Sequence, residues 1–217
     1  MHFEVLVEDL SGQKALEILL PRVIGSEHTY RTHAYKGLGS LQRNLQAHSD
    51  PTTKQLLANL PAILRAHGKA YAASPRHYPV IVVCDLDDKC PRAFRRELLA
   101  ILDVCDPKPH AVFCLAVEEG EAWLLGDLAA VKTAYPKAKN AVLDSYANDA
   151  VCGTWELLAD ALYPGGAKAL KKKGSGVAGE QKRQWAEAIT PHMDIEHNNS
   201  PSFRYFRDKL RQLLAGA

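Results

Sequence analysis

The sequence lacks the cysteine pattern of a disulfide-stabilised or zinc-binding protein. Its five cysteines form no Cys-x-x-Cys pair and their number is odd, which argues against a disulfide framework and against a structural zinc site. Cys84 and Cys114 lie within apolar stretches, where a thiol is usually a small buried hydrophobic group. We therefore expect a reducing compartment, the cytoplasm.

Long hydrophobic runs and secretory features are also missing. The longest apolar runs, such as residues 79–84 and 111–117, are far too short to cross a bilayer. The first residues contain no basic region and carry acids inside their apolar stretch, which is not typical of a signal peptide. The sequence predicts a soluble protein that does not associate with membranes.

Three motifs that identify common enzyme classes are absent. There is no Gly-x-Ser-x-Gly elbow, no Walker loop and no His-Glu-x-x-His segment, so serine hydrolases, P-loop NTPases and zinc proteases are set aside. The composition, 47% apolar and 24% charged, is that of a globular protein with a sizeable core.

Charge is distributed unevenly along the chain. Residues 163–217 carry ten Lys and Arg against five Asp and Glu, a balance of +5, whereas residues 1–162 carry 17 against 20, a balance of −3. A basic region beside an acidic body suits a polyanion-binding surface, and a solvated basic face is the simpler interpretation.

Strand and helix patterns alternate over residues 1–130 and predict an α/β fold with a parallel sheet. We expect Ser11 to cap the first helix, Asp50 and Pro51 to begin the second, and Pro91 to begin the third. Residues 131–217 are predicted to be helical and packed on this core as a single compact unit, with a flexible basic loop at 171–176. The predicted strands are residues 2–7, 29–35, 78–84 and 111–117.

Acidic side chains directly follow three of the predicted strands. In open α/β sheets, ligands bind at the carboxyl ends of the strands, so these acids should converge there. Carboxylates brought together repel one another unless a cation neutralises them, and oxygen ligands without His or Cys favour Mg²⁺ or Mn²⁺. The predicted metal ligands are Glu8, Asp85, Asp87, Glu118 and Glu121.

Four segments together resemble a known family. The chain is similar to a bacterial Toprim-like family classed as a domain of unknown function, related to the Toprim domain of overcoming-lysogenization-defect nucleases. The resemblance spans nearly all 217 residues and implies a Rossmann-like parallel sheet flanked by helices. The segments that carry it are Val7-Glu8-Asp9-Leu10-Ser11-Gly12, Val83-Cys84-Asp85-Leu86-Asp87-Asp88, Glu118-Glu119-Gly120-Glu121-Ala122-Trp123-Leu124 and Ser200-Pro201-Ser202-Phe203.

The resemblance implies a metal-dependent nuclease acting on DNA or RNA, in bacterial defence and with an ATPase subunit as partner. Glu8 would be a metal ligand or general base, and Asp85 and Asp87 would hold the metal. Glu121, or alternatively Glu118, would complete a second metal site. Toprim sequences usually have glycine after the first glutamate and often an acid three residues later, whereas this chain has Asp9 and Gly12 there.

Several lysines are candidates for contact with a nucleic acid. Lys182 could stabilise charge that develops on a scissile phosphate. Lys36, which precedes Gly37-Leu38-Gly39, and the run Lys171, Lys172 and Lys173 could contact phosphates. For each of them a solvated surface position is the plainer interpretation.

Two other functions remain open. Val-Cys-Asp85-Leu-Asp87-Asp also resembles the opening of a haloacid-dehalogenase-type phosphatase, with Asp85 as nucleophile, but Lys89 replaces the usual Thr or Val and Glu8 would have no role. Alternatively, the chain is a non-catalytic or partner-activated regulatory subunit that binds nucleic acid through a degenerate Toprim site, as Gly12 indicates.

Overall fold

The computed structural model describes residues 1–42, 44–46, 52–73, 78–149 and 152–216. A sheet of four parallel strands in the order β2-β1-β3-β4 forms its centre. Helices flank the sheet in a Rossmann-like arrangement, which confirms the predicted α/β class. The strands are β1 His2–Val7, β2 Thr29–Ala34, β3 Val80–Asp85 and β4 Ala111–Ala116.

The helices of the described residues alternate with the strands up to β4 and then follow one another without further strands. They are α1 Leu10–Ile24, α2 Leu56–Ala72, α3 Pro91–Asp103, α4 Glu121–Leu125, α5 Leu128–Ala134, α6 Asn140–Leu143, α7 Thr154–Leu162, α8 Gly166–Lys171, α9 Ser175–Ile189 and α10 Pro201–Ala215. None of the helices in these parts of the chain is long and apolar enough to cross a membrane.

The central strands are apolar on both faces because helices cover both sides of the sheet. On one face Val80 and Val82 pack with leucines of α2 and with Phe94 of α3. On the other face Ile81 and Val83 pack with α1 and with the C-terminal helices. This alternation follows from the two-residue period of a strand.

The C-terminal helices share one hydrophobic core with α1 and the sheet. Trp185 of α9 and Phe203 and Phe206 of α10 are fully buried in the cluster that contains Phe3 of β1. Arg22 of α1 strengthens this contact by donating hydrogen bonds to the carbonyl oxygens of residues 190 and 193, at 3.0 and 2.5 Å. The helices α9 and α10 therefore pack against the same sheet face as α1.

Three predicted details differ from the structure or lie outside it. Asp9, not Ser11, caps α1, because its carboxylate accepts the backbone N–H of Gly12 at 2.7 Å. The predicted loop at 171–176 is shorter in the structure, since α8 ends at Lys171 and α9 begins at Ser175, which leaves residues 172–174 between them. Asp50 and Pro51 lie outside the described residues, and α2 begins at Leu56.

Gly68 in α2 provides a test of this packing. A Cβ atom at this buried position would lie 1.9 Å from the carbonyl oxygen of Pro107. We expect Gly68→Ala to lower the free energy of unfolding by about 1–3 kcal/mol, as overpacking does, although alanine ordinarily favours a helix. Urea denaturation measures this change.

Gly179 in α9 supplies the matched control. It also lies within a helix, but a Cβ there would have no neighbour within 4 Å. Gly179→Ala should therefore raise the free energy of unfolding by about 0.5–1 kcal/mol. Equal effects of the two substitutions would contradict the packing of α2 on the segment that contains Pro107.

Candidate metal centre

The acidic site is built at the point where the strand order reverses. The chain passes from β1 outward to β2 and then returns to β3 on the other side of β1, so the ends of β1 and β3 form the switch point at which ligands bind in such sheets. Glu8 follows β1 and Asp85 ends β3. The Oε2 atom of Glu8 accepts the backbone N–H of Asp85 at 3.2 Å.

The Asp85 side chain lies on the α1 face of the sheet. It lines a cavity of about 40 Å³ together with Glu8, Asp9 and Glu121, and apolar side chains such as Trp123 form the rest of the wall. Among the described residues, none donates a hydrogen bond to the Asp85 carboxylate. Its oxygens are therefore available to a ligand.

Lys182 of α9 places a positive charge beside these acids. Its Nζ lies 3.2 Å from Oε2 of Glu121 and 3.6 Å from Oε1 of Glu119. The Lys182 side chain is only 15% exposed and that of Glu121 only 4%. An ammonium group held in so little water acts strongly on these acids and also on Asp85, because screening by solvent is weak.

Burial raises the pKa values of the two strand-end acids. Desolvation raises the pKa of Glu8 to about 7, and the charges of Asp87 and Asp9 add to the rise, although its hydrogen bond from the Asp85 amide opposes it. Desolvation, followed by the charge of Glu8, raises the pKa of Asp85 well above its ordinary value. Both carboxyl groups therefore favour a proton or another cation.

Glu119, Glu121 and Lys182 form a second charged group next to the first. Desolvation raises the pKa of Glu119 to about 8 and also raises the pKa of Glu121, while Lys182 opposes both shifts. Burial acts to lower the pKa of Lys182, but the carboxylates, led by Glu121 and Glu119, raise it above its ordinary value. Lys182 is therefore charged at every physiological pH.

Asp87 and Asp9 lie close enough to Glu8 to raise its pKa by their charge, yet each has another partner. Asp87 has a positive φ of 50° and pairs with Lys89 at 2.9 Å. The carboxylate of Asp9 is taken up by the cap of α1 and by the Ser11 hydroxyl, which donates to it at 2.7 Å. Asp9 thus has a structural role.

Glu118 is not among the residues that line the cavity beside Glu8 and Asp85. Its carboxylate accepts the backbone N–H groups of Gly153 and of Thr154, the latter at 2.7 Å, and so stabilises the start of α7. Glu118, Glu119 and Glu156 bring carboxylate oxygens within 4.8 Å of one another. This group could hold a cation only weakly, because Lys171 already pairs with Glu156 at 2.8 Å.

The lysines predicted to bind nucleic acid have different environments. Lys171 pairs with Glu156 and lies over the Trp155 ring, and Lys173 lies over the Tyr163 ring. Lys172 is exposed at the end of α8. Lys36 is exposed at the end of β2, where it lines an open groove.

The side chains around Asp85 fit a hard divalent cation. Glu8, Asp85, Asp87 and Glu121 offer only carboxylate oxygens, the ligands that Mg²⁺ and Mn²⁺ prefer. The unpartnered carboxylate of Asp85, beside the carboxylate of Glu8, is the observation on this chain that supports the fit. Glu121 is the weaker candidate, since Lys182 occupies it.

Glu119 belongs to this charged group, although the sequence did not mark it as a metal ligand. Its side chain is 19% exposed, and its buried Oε2 atom has no hydrogen-bond partner among the described residues. No signal in the local sequence distinguishes it from Glu118. Only the approach of Lys182 from α9 separates their roles.

No protein-family model, curated protein or solved structure matches this chain.

The raised pKa values predict how stability depends on pH. Between pH 4.5 and about 8, the folded protein holds protons on Glu8 and Glu119 that the unfolded chain has lost. Stability must therefore fall as pH rises through this range. We expect the free energy of unfolding in EDTA to fall by about 1–3 kcal/mol between pH 5 and pH 8.

Glu119→Gln tests the source of this slope by urea denaturation across the same pH range. Glutamine does not titrate, so the variant should show a flatter pH dependence than the wild type. Glu97→Gln, at an exposed position on α3, is the matched control and should leave the slope unchanged. An unaltered slope in Glu119→Gln would show that Glu119 titrates normally.

Lys182→Met tests whether the Lys182 ammonium neutralises the buried carboxylates of Glu121 and Glu119. Among the described residues, Lys182 is the cation that pairs with both. Its loss should destabilise the fold by about 3–5 kcal/mol at pH 8, because the carboxylates would remain buried without a positive charge. The loss should be smaller at pH 5, where those groups can bind protons. Lys168→Met, on the exposed surface of α8, should change stability little, and an equal effect would contradict the assignment.

Proposed function

We propose that this protein is a Mg²⁺- or Mn²⁺-dependent Toprim-type nuclease that hydrolyses phosphodiester bonds of DNA or RNA. The observation that carries the proposal is the meeting of Glu8 and the unpartnered Asp85 carboxylate at the switch point of a parallel sheet. The motif resemblance adds a role in bacterial defence with an ATPase subunit.

Glu8, Asp85 and Asp87 are the residues that would hold the metal. When bound, a divalent ion would polarise a phosphoryl oxygen and lower the pKa of a bound water molecule. Alternatively, Glu8 is the general base rather than a ligand, since its carboxylate lies beside Asp85. Lys182 supplies a fixed positive charge where negative charge grows on a phosphate.

A second candidate is a regulatory subunit that binds nucleic acid without cutting it alone. The observation that favours it is the contact of Lys182 with Glu121 and Glu119, since an internal ammonium neutralises part of the acidic site without any metal. The capping of α1 by Asp9 also favours the regulatory subunit. Toprim sequences often have an acid at the position of Gly12, and Asp9 cannot replace that acid while its carboxylate caps the helix.

A cleavage assay separates the two functions. Purified protein is incubated with plasmid DNA and with total tRNA, in Mg²⁺, Mn²⁺ or EDTA. We expect metal-dependent cleavage. Asp85→Asn should reduce its rate by more than roughly 100-fold, because loss of a residue that only supports a metal ligand already costs roughly 10–100-fold. Thermal unfolding with added Mn²⁺ should show stabilisation in the wild type and little in Asp85→Asn.

Asp88→Asn is the matched control for this assay. Asp88 lies three residues from Asp85 but is exposed at the surface, so its variant should retain both cleavage and stabilisation by Mn²⁺. Stabilisation by Mn²⁺ without cleavage would favour the regulatory subunit. Cleavage that survives Asp85→Asn, or that persists in EDTA, would refute the nuclease proposal.

A further inference from the structure

Two open grooves flank the acidic site at the carboxyl edge of the sheet. The β2 groove, of about 440 Å³, is formed where β2 ends, and Leu10, Lys36, Lys54 and Ile63 are among the residues that line it. The β4 groove, of about 520 Å³, is formed where β4 ends, and its lining includes Arg92, Arg95, Leu115, Val117 and Tyr205. Because β1 and β3 lie between β2 and β4, the acidic site lies between the grooves.

Both grooves carry positive charge that is free for a ligand. Lys36, Lys54 and Arg92 are exposed and have no ion pair within the described parts of the chain. Arg95 donates a hydrogen bond to the Tyr205 hydroxyl at 3.1 Å but pairs with no acid there. Opposite charge favours a polyanion along both grooves.

The acids near the grooves do not cancel this charge. None of the described residues that line the β2 groove is acidic. Asp149 lines the β4 groove, but its carboxylate is held by the Ser200 hydroxyl at 2.8 Å and the Ser202 backbone N–H at 2.7 Å. Two sites of positive charge are thus separated by a negatively charged centre that a metal would neutralise.

Apolar side chains lie beside these cations, and they favour a single strand of nucleic acid over a duplex. Leu10, at the start of α1, is 63% exposed and lies in the β2 groove with Ile63. Leu115 and Val117 line the β4 groove. A duplex presents mainly phosphates and sugars to a surface, whereas a single strand also offers unstacked bases to apolar side chains.

We propose that one single strand of nucleic acid lies across the carboxyl edge of the sheet, from the β2 groove over the acidic site to the β4 groove. Three strand spacings of about 4.8 Å separate β2 from β4, about 14 Å in all. An extended, unstacked strand places its phosphates farther apart than the 3.4 Å axial spacing of a B-form strand, so about four nucleotides or fewer span this distance. This proposal rests on the proposed function and assigns phosphate contacts to Lys36 and Lys54 on one side and Arg92 and Arg95 on the other.

Binding is measured apart from cleavage, so that failure of one proposal is distinguishable from failure of the other. The fluorescence anisotropy of labelled DNA and RNA strands of about 12 nucleotides, within the range of known single-strand sites, is followed in EDTA at several salt concentrations. Duplex DNA of the same length serves as competitor. We expect either strand to bind more tightly than the duplex.

Each groove is tested by its own variant. Lys36→Gln/Lys54→Gln should weaken strand binding about tenfold and lower the slope of log affinity against log salt by about 1.4, since each phosphate contact contributes about 0.7. Arg92→Gln should lower the slope by about 0.7. Circular dichroism and thermal unfolding establish that each variant is folded.

Lys69→Gln/Lys108→Gln is the matched control. It removes two exposed charges, one near the end of α2 and one in the segment before β4. Both lie at the end of the sheet where β3 and β4 begin, so the variant should leave binding nearly unchanged. Absence of strand binding, equal binding of the duplex, or equal effects of the control and groove variants would overturn this proposal even if the protein cleaves. Groove-dependent binding without metal-dependent cleavage would support it and refute the nuclease.

Discussion

Carboxyl groups forced together at the end of a parallel sheet are the constraint on which the rest of the site depends. Parallel strands all end at one edge, so Glu8 and Asp85 meet once β1 and β3 are neighbours. Desolvation raises both pKa values, and the charge of Glu8 adds to the rise at Asp85. The protein folds despite this unfavourable free energy, because the hydrophobic packing of β1 and β3 on both faces of the sheet contributes a much larger favourable free energy.

The C-terminal helices complete the charge balance as well as the core. Trp185 buries α9 against the α1 face, and three residues earlier the same helix carries Lys182 toward Glu121 and Glu119. A lysine held by a buried helix keeps its position better than one on a loop, since packing restricts its rotamers. Side chains that follow the sheet and a side chain of the C-terminal helices therefore form one charged group.

Capping determines which acids remain available to a ligand. The carboxylate of Asp9 accepts a backbone N–H group in the first turn of α1, and that of Glu118 accepts one at the start of α7. Backbone N–H groups at a helix start stabilise a carboxylate and satisfy its hydrogen-bonding capacity. Asp85 receives no such donor from the described residues, so its carboxylate remains available to a ligand.

The sequence by itself determined the parallel sheet and the acids at its edge, because strand periodicity and the residue after each strand are local features. It placed β3 and α3 within two residues and indicated Glu8 and Asp85 correctly as neighbours. It misplaced the cap of α1 at Ser11, and it did not distinguish the environments of Glu118 and Glu119. Only the tertiary structure decided these roles, because the partner of a buried carboxylate is a donor or cation brought by an element distant in the chain, as Lys182 is for Glu121.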